Sequence, residues 1–256
     1  MTNGANYKRG KLHHTPWHSD IRTSNQLNNA IGDLSQYNHD PSNVQMVALN
    51  PIFRYHNSTK YWPLRLGGAL GASALKCYIN SDYAGCPDDY KSTSGRVFTC
   101  GGAANWRSRQ QTATAQSTTN AEYSAFGVGC IRLRLIPHLL NELGIRTILP
   151  AFSDSQSLIT SIKKRIYRGT PVAHIATDYN SAADMARDGE IDLSYVLTAE
   201  MPADCFTKPL PKPAFLKQCA TMGTIGIGLR NCLGMRGNGR GNCIGIANGI
   251  RTPVRK

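Results

Sequence analysis

The chain carries carboxyl groups at positions that suit phosphodiester chemistry. Asp82 lies in the run Asn80-Ser81-Asp82-Tyr83-Ala84-Gly85, directly after the apolar stretch Ala74–Ile79. Glu122 follows Ser117-Thr118-Thr119-Asn120-Ala121, and Asp154 follows the apolar run Thr147–Phe152. Asp204 stands in Met201-Pro202-Ala203-Asp204-Cys205-Phe206. Each falls at the end of a predicted strand or the start of a predicted helix, so all four can converge on one edge of a mixed sheet. Such a cluster serves two-metal hydrolysis. Hard Mg²⁺ or Mn²⁺ ions take oxygen ligands, and a bridging carboxylate holds two of them about 4 Å apart. One ion activates water and the other stabilises the leaving oxygen. Glu122 and Asp154 also have plainer readings. Glu122 suits a capping box opened by Thr119, and Asp154 suits the N-cap of a helix beginning near Gln156.

The elements that must position these residues are legible from periodicity. Strands are predicted over 74–80, 96–100 and 104–109, with Gly101-Gly102 linking the last two as an antiparallel hairpin. A helix begins near Ser117, with Val128, Ile131, Leu135 and Leu139 as its apolar stripe and Pro137 as a kink near its end. The strand over 147–152 leads to a helix from Gln156, a second helix spans 171–187, and a strand spans 191–197. A last helix starts at Met201 with Asp204 in its first turn. Upstream, Leu27, Ile31 and Leu34 share one helix face, Asp40-Pro41 ends that helix, and Ser42 is placed to cap the next. Pro51 is expected to interrupt the second helix, and 57–60 reads as a turn. Gly67–Ala72 reads as a hinge and lacks the spacing of a phosphate loop.

Composition narrows the partner class. The 256 residues are 41% apolar, enough for a sizeable core. The formal net charge is +13, and after Asp204 there are nine Lys or Arg and no Asp or Glu, so residues 1–204 carry +4 (13 minus 9). A basic tail on a near-neutral body points to a polyanion, most often nucleic acid, against the plainer reading of a solvated tail. Arg107 and Arg109, with Trp106, are candidates to face a phosphate backbone, and an ordinary exposed strand face is equally consistent. The eight cysteines form no Cys-x-x-Cys pair, and no apolar run approaches the ~20 residues of a membrane span, so reduced thiols in an intracellular protein are expected. His13, His14 and His18 lie in a polar leader, 1–18, without partner ligands.

The motifs then identify a family. Asp82-Tyr83-Ala84-Gly85, Asp88 through Gly95 (Asp-Asp-Tyr-Lys-Ser-Thr-Ser-Gly), Asn120-Ala121-Glu122-Tyr123, Asp154-Ser155-Gln156-Ser157 and Ala203 through Leu210 resemble the ribonuclease H end of copia-type LTR retrotransposon polyproteins, in order and spacing. Leu34-Ser35-Gln36-Tyr37 and Phe53-Arg54-Tyr55 resemble the same family's connection to its polymerase. The resemblance implies an α/β, ribonuclease H-like mixed five-stranded sheet flanked by helices, with a small helical N-terminal piece; the irregular C-terminal tail is read from composition. The resemblance marks 19–70 as a reverse transcriptase remnant and 74–218 as a ribonuclease H-like domain; composition sets off a leader (1–18) and a Gly/Arg-rich, disordered tail (219–256) that has no counterpart in the family. The family likeness implies Mg²⁺ or Mn²⁺, hydrolysis of RNA in RNA–DNA hybrids, nucleic acid as partner, no small-molecule cofactor and no membrane. Cytoplasm or nucleus is the implied location.

Carried over by residue, Glu122, Asp154 and Asp204 fall on three of four metal-binding acid positions, with Asn80 on the fourth. The family's opening motif reads Ser/Thr-Asp-x-Asp-Trp/Tyr-Ala-Gly, and its first Asp bridges the metals. Asn80 occupies that position and Asp82 matches the second Asp, so Asp82 remains a candidate ligand roughly 6–7 Å further along the strand. Asn is nearly isosteric with Asp, but it is neutral and presents an NH₂ to a cation. Hydrolysis is therefore expected to be lost or severely reduced. The alternatives are a nucleic-acid-binding remnant without activity and a pseudogene product without function. Lys91, Ser92 and Thr93 join Arg107 and Arg109 as candidate nucleic-acid contacts. The family's polymerase Tyr-x-Asp-Asp is absent, and its His-Ile-Asp reads His174-Ile175-Ala176.

Overall fold

A computed structural model describes residues 27–67, 75–142, 144, 148–164 and 173–224. The expected leader, most of the glycine hinge and the chain beyond 224 lie outside the described residues. At the centre is a five-stranded mixed sheet in the order β3-β2-β1-β4-β5. The strands are β1 (Lys76–Asp82), β2 (Thr93–Thr99), β3 (Ala103–Gln110), β4 (Leu149–Ser153) and β5 (Ile191–Tyr195). The first three form an antiparallel meander, and β4 and β5 run parallel to β1. This is the expected ribonuclease H-like mixed sheet flanked by helices.

Alternation along β1 sorts its side chains between two layers. Cys77 and Ile79 enter a large core with Phe98, Tyr123, Phe126, Leu133, Leu149 and Leu158. Tyr78 packs on the other face, where Val97, Met201, Phe206 and Met222 form a second core. Each fully buried side chain of this size contributes roughly 1.5–3 kcal/mol.

Two helices precede the sheet, α1 (Asn28–Ser35) and α2 (Asn43–Thr59). Leu27, Leu34 and Ile52 form the core between them. Ser42 caps α2, with Gln45 completing a capping box. Pro51 does not interrupt this helix, which continues to Thr59, so the turn expected over 57–60 begins only at its end. The pair docks on the sheet: Asn28 Oδ1 accepts the Ser108 N–H at 3.2 Å, and Tyr37 donates to Asp88 at 2.5 Å.

Helix α3 (Thr118–Glu142) crosses one sheet face without a break at position 137. Its buried stripe is Ala121, Tyr123, Ala125, Phe126, Cys130 and Leu133, whereas Val128, Leu135 and Leu139 are exposed. Three of the four residues of the predicted stripe therefore face solvent, and the side chain of Ile131 lies outside the described ones. Small residues decide the difference: a Cβ on Gly129 would stand 2.4 Å from Ile79 Cδ1, so the helix buries its glycine–alanine side to lie close on β1. Helices α4 (Gln156–Lys164) and α5 (Ala173–Arg187) follow, α4 with Leu158 and Ile162 buried. A 3₁₀ turn over Pro202–Phe206 and α6 (Lys212–Thr221) close the second layer. The expected tail boundary at 219 falls inside this layer: Cys219 and Met222 are fully buried, and Thr224 bridges to Leu64.

Candidate active site

Asn80 lies near the end of β1, 3% exposed, and its ladder partner on β2 is Gly95. That glycine makes room for the fourth site residue. A Cβ at Gly95 would stand 2.6 Å from Thr207 Cγ2 and 2.7 Å from the Ala203 carbonyl oxygen, so the 3₁₀ turn bearing Asp204 can rest directly on the strand. The Asn80 amide nitrogen donates to Asp204 Oδ1, and Asn80 Oδ1 accepts the Ser81 N–H at 2.7 Å. The Ser81 N–H also reaches Glu122 Oε1 at 3.4 Å. Asn80, Glu122 and Asp204 thus meet at one end of β1 through short hydrogen-bonded steps. Gly95 carries a positional role that sequence reasoning missed; it appeared only as the last letter of a family motif.

Glu122 is not the capping carboxylate. Ser117 Oγ accepts the Asn120 N–H and so caps α3, while Glu122 turns inward, 4% exposed. Its Oε2 has no hydrogen-bond partner. Burial first, then the nearby Asp154, push this carboxyl up from 4.5 to about 8. Asp154 is not the cap of α4 either, because Ser155 Oγ accepts the Leu158 N–H at 3.3 Å. It stands just past the carboxyl end of β4, half-buried, where open α/β sheets place ligands. Asp204 is 4% exposed, and burial raises its carboxyl while Lys208, 3.1 Å from Oδ1, pulls the other way.

Asp82 shares the sheet face of Asn80 but looks elsewhere. Burial raises its carboxyl against the pull of Lys208, and it in turn helps raise Asp33 of α1, which burial first lifts to about 6. A Cβ at Gly85 would meet the Asp82 carboxylate at 2.0 Å, so Asp82 is packed into the turn that follows β1.

Fit to a metal pair follows from these contacts. The amide of Asn80 and the ammonium of Lys208 both point at the same Asp204 oxygen, which a cation would need. Among the described residues no group of three or more His, Cys, Asp or Glu is arranged to hold a metal ion. Three acids and a neutral donor do not fit a two-ion centre. The buried, unpartnered Glu122 Oε2 has the character of a ligand awaiting a cation.

The candidate nucleic-acid contacts divide by face. Lys91 pairs with Asp89 at 2.7 Å. Ser92 is fully buried and accepts the Ala84 N–H at 3.1 Å, holding a residue with φ of 52°. Thr93, 9% exposed, sits opposite Asp82. Arg107 and Arg109 are exposed on β3 and line a groove toward α3, whereas Trp106 packs into the second core on the opposite face.

No protein-family model matches the chain. Curated relatives do. The retrovirus-related Pol polyprotein from transposon RE1 of Arabidopsis thaliana is 31% identical over 206 residues, covering 78% of this chain and 14% of that protein. The corresponding polyprotein from transposon TNT 1-94 of Nicotiana tabacum is 33% identical over 197 residues, covering 76% of this chain and 15% of its own length. A secreted RxLR effector protein of Plasmopara viticola is 38% identical over 106 residues, covering 41% of this chain and 74% of that protein. The chain thus spans about a seventh of the length of the polyproteins it matches. Among solved structures, LC11 ribonuclease H1, isolated from compost, is similar with 16% identity and a TM-score of 0.41, covering 53% of this chain and 93% of that one.

Proposed function

The chain belongs to the Pol polyproteins of copia-type LTR retrotransposons, and from that premise we propose that it is a ribonuclease H-like domain that engages RNA–DNA hybrids and has lost most of its capacity to cut them. Residues 74–218 form the domain in this reading, and 19–70 are the end of the preceding reverse transcriptase. The ancestral reaction is hydrolysis of the RNA strand with Mg²⁺ or Mn²⁺, held by four acids. In this reading Glu122, Asp154 and Asp204 stand at three of those positions, and Asn80 stands at the fourth.

One observation carries the reading: the Asn80 amide nitrogen donates to Asp204 Oδ1. A carboxylate at 80 would share a cation with Asp204, whereas the amide satisfies Asp204 with its own N–H. The amide and the Lys208 ammonium both satisfy this Asp204 oxygen, and that lowers its demand for a cation, although Glu122 Oε2 stays without a partner.

The test is cleavage of a labelled RNA–DNA hybrid in Mg²⁺ by this protein and by Asn80→Asp. The expected result is cutting by the variant at least ~100-fold above the parent, the scale on which loss of one electrostatic stabiliser acts. Equal rates in the two would overturn the reading. Localisation in cytoplasm or nucleus is likewise proposed from the family. Among the described residues, no helix is long and apolar enough to cross a membrane.

A further inference from the structure

Away from the acids, the first sheet face holds a group that the proposed chemistry leaves unused. Arg96 lies on β2 and is only 8% exposed. Its Nε has no hydrogen-bond partner. Its ladder partner on β3 is Arg107, whose guanidinium lies close enough to act on that of Arg96. Like charges in that relation repel, and a buried guanidinium stays charged because it cannot shed its proton. Burial, then Arg107, push Arg96 down from its ordinary value, and Arg132 of α3 adds to this. The one neighbour that opposes the shift is the Cys77 thiol, which burial itself pushes well up and so keeps neutral. Among the described residues, no acidic side chain pairs with Arg96, Arg107 or Arg109.

These arginines line a groove of ≈ 110 Å³ between the β2–β3 ribbon and α3. Gln111, 9% exposed, forms part of the wall and is fixed there by donating to Ser94 Oγ and to the Ala121 carbonyl, both at 2.9 Å. Val128, an exposed α3 residue, forms the opposite lip. A buried positive charge without a counter-charge is costly unless an anion reaches it. A tetrahedral oxyanion matches the need: it accepts several N–H donors at once and bridges two guanidinium groups.

We infer that this groove is a phosphate seat for a nucleic-acid backbone, with Arg96 at its floor and Arg107 and Arg109 at its mouth. It opens toward β3, and its lining includes Gly95, the ladder partner of Asn80, so a strand seated there runs beside the acid cluster. The inference rests on the reading that nucleic acid is the partner. The phosphate chemistry has two sources, a phosphodiester of a strand or free inorganic phosphate, and two measurements separate them.

The first is thermal unfolding of the full chain in potassium phosphate against sodium chloride of equal ionic strength. The second is the salt dependence of binding to a fluorescein-labelled RNA–DNA hybrid. Phosphate should raise the Tm of the parent and not that of Arg96→Met, which should unfold higher than the parent when no oxyanion is present. Arg107→Gln/Arg109→Gln changes only exposed side chains and keeps the fold. It should bind the hybrid at least tenfold more weakly at low salt, with a log–log salt slope smaller by about 2. An unchanged slope in the double variant would overturn the strand seat while leaving the hybrid reading intact. A phosphate-dependent Tm rise in a chain that binds no hybrid would reject the strand as the source and remove the hybrid reading, leaving a free-phosphate site. Loss of stability in Arg96→Met without oxyanion would assign Arg96 a packing role and overturn the floor of the seat.

Discussion

Asn80 and Asp204, 124 positions apart in the chain, are joined side chain to side chain inside the protein. The link is a donor–acceptor pair in which one partner is neutral. Its consequences for stability are separable from those for cleavage.

Asn80→Asp should lower stability in the absence of divalent ions. The substitution removes the N–H that Asp204 accepts and adds an acid beside Asp204 and Glu122, all three buried. The expected loss is roughly 1–3 kcal/mol at pH 8. It should shrink on acidification, as the new acid takes up a proton. Urea unfolding in chelator at two pH values checks both parts.

The Glu122 carboxyl titrates at about 8 in the folded protein, against 4.5 ordinarily, chiefly because it is buried. Between those values the unfolded chain has released the proton and the native protein has kept it. Stability should therefore be fully present below about 4.5, fall as pH rises toward 8, and level off above it. At 1.36 kcal/mol per pH unit, the fall is on the order of a few kcal/mol. Glu122→Gln should flatten this part of the curve, and Tm measured across the window would show it. A Glu122→Gln curve parallel to the parent's would assign the titration elsewhere.

Gly95→Ala should cost roughly 1–3 kcal/mol, because the new methyl meets Thr207, Phe206 and the Ala203 carbonyl with no room to shift. Denaturant unfolding measures it. In Asn80→Asp/Gly95→Ala, any restored cleavage should fall again, since the turn that bears Asp204 is displaced from the strand.

Thiol labelling gives a direct check of the two cores. Cys77, Cys205 and Cys219 are buried and their thiols are raised, Cys219 to about 12, by burial. Cys86 is only half-buried. Iodoacetamide at pH 8, mapped by peptide mass, should modify Cys86 and leave these three untouched until the protein unfolds.

Strand positions and the convergence of Asn80, Glu122 and Asp204 were legible in the sequence where local pattern coincided with tertiary demand. All five strands lie within a few residues of their expected places. The start of β2 was missed because Thr93-Ser94-Gly95 has no apolar alternation. Its polar and glycine residues serve a turn packed on top of them, and that turn lies more than 100 positions downstream. The apolar stripe of α3 was misjudged for a related reason. Spacing alone favours leucine and isoleucine, whereas the buried face is selected by glycine and alanine that allow close approach to Ile79. The position of Asn80 was readable from motif spacing, but its bond to Asp204 was not. Arg96 was invisible as a site because nothing in its neighbourhood in the sequence shows that it is buried.

The ladder pair of Asn80 and Gly95 has a bearing on how such a chain ages. Exchanging the acid at position 80 for its amide relieves repulsion among buried carboxyl groups and leaves every packing contact in place. Putting any side chain at position 95 drives apart two layers of the protein. In a copy free of selection for cutting, drift is therefore tolerated at the first position and punished at the second wherever the folded protein is still needed. On the proposed reading, the outline of the fold outlasts the reaction in this way.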